Sequence, residues 1–100
     1  MKKFVYLYAG GSAPENAEDG KAVMDAWMAY FAKMGDRIVD GGAPLGDRRS
    51  VGAAPKSAST GYSIVMANTL EEAVALTDGH PHLRFGGAIE VCETVPIGPP

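Results

Sequence analysis

His80 and His82 are the chain's two histidines, and they flank Pro81. An imidazole titrates near neutrality, so either ring can take or give a proton at physiological pH. Pro81 fixes the backbone between them and sets the directions of the two rings. A structural role is also open to them. Just past a helix C-terminus, an imidazole can bond the last carbonyls and gain from the helix dipole. As metal ligands they form a pair with no clear third partner, short of the three or four that zinc requires, so no metal is expected. Asp40, beside Gly41-Gly42, can orient an imidazole or act as a base. An Asp before Gly-Gly also makes an Asx turn. Arg48 and Arg49, with Lys56, give residues 43–59 a basic character within an acidic chain. Guanidinium groups hold carboxylate or phosphate in a fork, so this loop can grip an anion. A solvated loop is the alternative. Tyr6 and Tyr62 can turn their hydroxyls into a cleft beneath helices, or serve the core or a dimer face.

Other residues point to packing. Trp27 and Phe31 lie on an apolar helical stripe and read as core. Cys92 has no neighbour that would activate it and reads as a small buried apolar residue. Glu90, if turned inward, needs a partner such as Arg84 or a histidine. There is no P-loop, no GxGxxG after a strand and no GxSxG, so nothing calls for a nucleotide or another cofactor. Gly10-Gly11-Ser12 before a helix is read as a turn rather than an anion-binding nest.

These side chains must be held by regular elements. Phe4 to Tyr8 is aromatic and β-branched, which suits a strand. Between Ala13 and Met34, Val23, Trp27, Tyr30, Phe31 and Met34 recur on one helical face. Pro14 suits the first turn, with Gly20 a possible later start and Gly35 a C-terminal cap. Asp36 to Asp40 is a short strand closed by Gly41-Gly42. Residues 43–59 form a long loop, with room for a short irregular strand near Ser50-Val51. Gly61 to Ala67 is the next strand. Thr69 and Glu72 make a capping box for a helix running to about Asp78, where Gly79 and Pro81 stop it. Gly87 to Val95 is the last strand. The order βαββαβ predicts an α+β, ferredoxin-like sandwich, a four-stranded antiparallel sheet with two helices on one face. Residues 1–97 make one domain and 98–100 a short Pro/Gly tail. The other sheet face carries apolar side chains with no cover, which predicts a homodimer packed sheet to sheet.

One hundred residues support one core and two layers. Hydrophobic residues at 46% and charged residues at 21% are ordinary for a folded domain and exclude wholesale disorder. A net charge of −3 argues against nucleic-acid binding, which wants a basic stripe. A single cysteine cannot form an internal disulfide and fits a reducing, cytoplasmic setting. No apolar run approaches the roughly 20 residues of a membrane span.

The second half carries a resemblance. Gly61-Tyr62-Ser63-Ile64-Val65-Met66-Ala67 leads into Leu70-Glu71-Glu72-Ala73, then Gly79-His80-Pro81-His82-Leu83 and Gly87-Ala88-Ile89-Glu90-Val91. With Trp27 on the first helix and Asp40-Gly41-Gly42-Ala43-Pro44-Leu45 after it, the chain resembles the YCII-related domain family. That resemblance implies the dimeric α/β-barrel form of the ferredoxin-like fold. It also implies small-molecule catalysis by a His–Asp pair in a cleft, the histidine on the first helix and the aspartate after the second strand. Asp40 matches the aspartate. The first helix has no histidine, so only His80 or His82 can supply the imidazole. The expected function is a small cofactor-independent enzyme, with His80, His82 and Asp40 catalytic and Tyr6, Arg48, Arg49 and Tyr62 holding a small anionic or aromatic metabolite. The alternatives are a non-catalytic ligand-binding or regulatory domain with the same cleft, and a module that only dimerises.

Overall fold

The computed structural model describes residues 1–11 and 14–97. Ser12, the expected helix start at Ala13 and the expected tail at 98–100 lie outside the described residues. The elements are β1 (Lys2–Gly10), α1 (Ala17–Met34), β2 (Ile38–Pro44), β3 (Gly61–Ala67), α2 (Leu70–Ala75), α3 (Pro81–Arg84) and β4 (Gly87–Glu93). The strands run β2-β3-β1-β4, and every neighbouring pair is antiparallel. This is the α+β, ferredoxin-like sheet that the alternation of elements predicts.

The sheet is two-faced because side chains alternate along each strand. Phe4, Tyr6 and Tyr8 of β1 pack with Val65 and Ala67 of β3, Tyr30 and Met34 of α1, and Ala73 of α2. Phe4, Tyr6 and Val65 are wholly buried, and burying such a side chain contributes about 1.5–3 kcal/mol. The opposite face carries Val5, Leu7, Ile64 and Met66, all half-buried.

Local chemistry sets the element ends. Asn16 caps α1 by accepting from the Asp19 N–H (2.8 Å), so Gly20 falls inside the first turn. Thr69 caps α2 by accepting from the Glu72 N–H (3.0 Å). The reciprocal half of the capping box differs, since the Glu72 carboxylate turns to Asn68 and to the Arg37 guanidinium. α2 ends at Ala75 rather than near Asp78, and turns occupy 76–79.

Two other boundaries differ from expectation. Gly35–Arg37 form a single 3-10 turn, so β2 starts at Ile38 and runs through Gly41-Gly42 to Pro44. The glycines continue the strand as bulges. Gly42 has φ +77°, and a Cβ there would lie 1.6 Å from the Tyr62 carbonyl oxygen. Residues 45–60 form the loop, with no strand near Ser50-Val51. Among the described residues, no helix is long and apolar enough to cross a membrane.

Candidate active site

Pro81, expected only to stop the preceding helix, opens a short helix of its own. Proline is favoured at the first helical position because its missing N–H would have no helical partner there. His80, just before it, is the N-cap, and its Nδ1 accepts the His82 N–H at 3.1 Å. That bond fixes the tautomer. A backbone N–H can only donate, so Nδ1 is bare and the ring proton sits on Nε2. Nε2–H then faces the Tyr8 hydroxyl at 3.2 Å. Tyr8 donates to Ser63 Oγ at 2.7 Å, and Ser63 donates to the Gly41 carbonyl at 2.8 Å. The chain of bonds has one polarity, since a backbone N–H begins it and a carbonyl ends it.

His80 is fully buried. The rings of Tyr30, Trp27 and Tyr8 lie 4.3, 4.9 and 5.3 Å away. Burial first, and then the neighbouring His82, lower its pKa to about 4. It is therefore a neutral ring at physiological pH. Burial likewise raises the Tyr8 hydroxyl to about 12.

His82 sits differently. It is half-buried, and its Nε2 bonds the Ala9 carbonyl at 2.9 Å. A carbonyl only accepts, so Nε2 carries a proton, and in the neutral ring Nδ1 is the nitrogen with the lone pair. No buried side-chain nitrogen or oxygen lacks a partner among the described residues. The ring rests on Gly87, where a Cβ would lie 2.1 Å from Nε2. Glycine at 87 is what gives the imidazole its place.

His82 borders a cleft of about 460 Å³ between α1, the β2 bulge and the start of β3. Its walls include Tyr8, Val23, Met24, Trp27 and Phe31, with the backbone of Gly41 and Gly42 opposite. Trp27 and Phe31 are thus cleft walls as well as core neighbours. The cleft is mostly apolar with few polar groups, the usual make-up of a small-molecule site.

The other expected site residues fall elsewhere. Tyr6 is fully buried and donates to the Ala73 carbonyl at 2.5 Å, so its hydroxyl serves the α2 contact. Tyr62 pairs with Leu7, and Tyr6 with Ser63, so the two tyrosines point to opposite faces of the sheet. Asp40 pairs with Ile64 on the face away from the helices, and its carboxylate accepts the Gly42 N–H at 2.8 Å. Asp40 makes the Asx turn, and the structure does not bring it to either imidazole. Arg48 donates to the Ser57 and Ser59 carbonyls (2.9 and 2.7 Å) and pins its own loop. Arg48, Arg49 and Lys56 line a separate pocket of about 310 Å³. Glu90 lies on the open sheet face, with Cys92 Sγ 3.8 Å from its carboxylate. Among the described residues, no three His, Cys, Asp or Glu side chains are grouped to hold a metal.

Tyr8 is a site residue that the sequence reading above does not single out. The available signal was its place two residues after Tyr6, on the same strand face. The helical start at Pro81 was also legible, from proline's preference for that position.

The comparisons with known proteins bear on the fold. No family model matches the chain, and no curated protein matches it. Among solved structures it is similar to the 5-chloro-2-hydroxyhydroquinone dehydrochlorinase of Burkholderia phenoliruptrix AC1100, in complex with 2,5-dihydroxybenzoquinone. The TM-score is 0.54 at 19% identity, over 91% of this chain and 90% of the other. At that identity the likeness establishes a shared fold, the one implied by the resemblance to YCII-related domains.

Proposed function

We propose that the chain is a small-molecule enzyme that uses His82 as a general base and needs no cofactor for that step. One observation carries this reading. His82 lines an apolar, aromatic cleft, and its Nε2 is engaged by the Ala9 carbonyl, so that in the neutral ring Nδ1 is the nitrogen able to take a proton. A base placed so can take a proton from a bound hydroxyl or an acidic C–H group. As charge develops on the ring, the bond to Ala9 strengthens, because N⁺–H···O bonds exceed neutral ones. Returning that proton to another atom is an isomerisation, and expelling a leaving group instead is an elimination. The fold neighbour's printed activity, a dehydrochlorination, is a reaction of the second kind. The pair expected from the YCII-related resemblance is replaced here. His80 takes over the orienting role, holding His82 by its backbone, and Asp40 takes no part.

The test is exchange of the ring C–H protons of resorcinol in D₂O, followed by proton NMR, with the nitrogens of His82 observed in parallel. The chain should accelerate exchange about a hundredfold or more over its His82→Gln variant, the low end of general-base catalysis. Perturbed His82 nitrogens without accelerated exchange would assign the cleft to ligand binding alone. No change in either would remove the cleft from consideration.

A further inference from the structure

Ser63 is a buried polar side chain with no part in the proton transfer proposed above. It sits on β3, and its hydroxyl bonds two residues of the cleft lining, Tyr8 and Gly41. A hydroxyl has one proton. The Gly41 carbonyl can only accept, so the Ser63 proton goes there, at 2.8 Å. Toward Tyr8 the Ser63 oxygen is then an acceptor, and the Tyr8 proton goes to it at 2.7 Å. The Tyr8 oxygen is left to accept from His80 Nε2 at 3.2 Å, which requires a proton on that nitrogen. A neutral imidazole carries one N–H, so Nδ1 is bare and takes the His82 N–H at 3.1 Å. The same tautomer is reached from the other end, because that backbone N–H can only donate. Groups on β1, β2, β3 and at the α3 cap thus share one arrangement that satisfies them all.

We infer that Ser63 is a positioning residue: through Tyr8 it holds His80 in the tautomer that caps α3, and so sets the place of His82. Without the Ser63 hydroxyl, the Tyr8 proton has no inward acceptor. A buried donor left unpaired is unfavourable, and the remaining bonded neighbour of Tyr8 is His80 Nε2. Accepting there moves the ring proton to Nδ1, where it opposes the His82 N–H and opens the cap. A fully satisfied buried network holds one arrangement, and a partly satisfied one does not. A serine that only filled space would leave the tautomer untouched when replaced. This inference rests on His82 acting as the base and names a residue that holds that base in place.

Ring-nitrogen NMR of the full chain at neutral pH, where His80 is uncharged, reads the tautomer directly. The parent chain should carry the His80 proton on Nε2. A proton on Nδ1 in the parent overturns the inference before any substitution is made. Ser63→Ala should populate the Nδ1–H form and slow resorcinol exchange about tenfold or more, the factor expected when a buried polar group is left unpaired. In the double variant Ser63→Ala/Tyr8→Phe neither hydroxyl remains to compete for Nε2. The α3 cap alone then decides, and the Nε2–H form should return. A folded Ser63→Ala chain that keeps the parent tautomer overturns the inference, and so does a double variant that keeps the Nδ1–H form. A shifted tautomer with undiminished exchange overturns it as well. If the parent chain itself does not accelerate exchange, the base proposal fails and the positioning role falls with it. An unshifted tautomer beside accelerated exchange in the parent removes this inference alone.

Discussion

At the scale of single residues, the two histidines of one short motif occupy different surroundings. His80 is enclosed by aromatic rings and held neutral, whereas His82 is half-buried and lines the cleft. The pKa of His80 is depressed from 6.5 to about 4 on folding, so between those values the unfolded chain binds the extra proton. Stability is then full above about pH 6.5 and falls as pH drops toward 4. The expected loss, of order 3 kcal/mol, follows from about 1.4 kcal/mol per pKa unit. Urea unfolding at a series of pH values checks this, and His80→Gln should flatten the profile over that window. A stability that rises on acidification through this window would contradict the assignment. Gly87→Ala gives a second check at this scale. A Cβ 2.1 Å from Nε2 must displace the His82 ring, so the bond to Ala9 should be lost. The variant should then lose the accelerated resorcinol exchange about tenfold or more, as expected for an unpaired polar partner, with the fold retained by circular dichroism.

At the scale of elements, capping and glycine geometry decide where each segment begins and turns. Thr69→Ala removes the side chain that caps α2 and should cost about 1 kcal/mol in chemical denaturation, the usual value for a lost N-cap. Gly42→Ala should be far more disruptive. Its added methyl would overlap the Tyr62 carbonyl at a positive φ, so β2 must move away from β3. A loss of more than about 2 kcal/mol is expected, above the typical cost of a single substitution. Hydrogen exchange should show the opening confined to β2 and its loop, while the β1–β4 pairing stays protected. The βαββαβ order was readable because hydrophobic period and capping residues are local signals. The continuation of β2 through Gly41-Gly42 was not readable. Two glycines read as a terminator in isolation, and only the neighbouring β3 backbone makes them bulges.

At the scale of the whole molecule, the sheet has one face in the core and one bearing Val5, Leu7, Ile64 and Met66 without a covering layer. A soluble monomer rarely exposes such a patch. Size-exclusion chromatography with light scattering should therefore give the mass of a homodimer. Ile64→Lys, a charge on that face away from the cleft, should give a folded monomer. A monomeric parent chain would set aside sheet-to-sheet pairing.

The sequence by itself determined the class of fold and the two-faced sheet, and it named the side chains whose chemistry allows proton transfer. Periodicity, caps and residue chemistry are properties of short stretches. Only the tertiary structure decided which of those residues meet. Asp40 and the histidines lie about forty positions apart, and no local rule says on which face a bulged strand turns its side chains. The bulge in β2 sends Asp40 to the far face, the β1–β3 register separates Tyr6 from Tyr62, and a cap formed across Pro81 buries one histidine while presenting the other. Each outcome depends on contacts between segments distant in sequence, where packing and hydrogen-bond polarity set the choice.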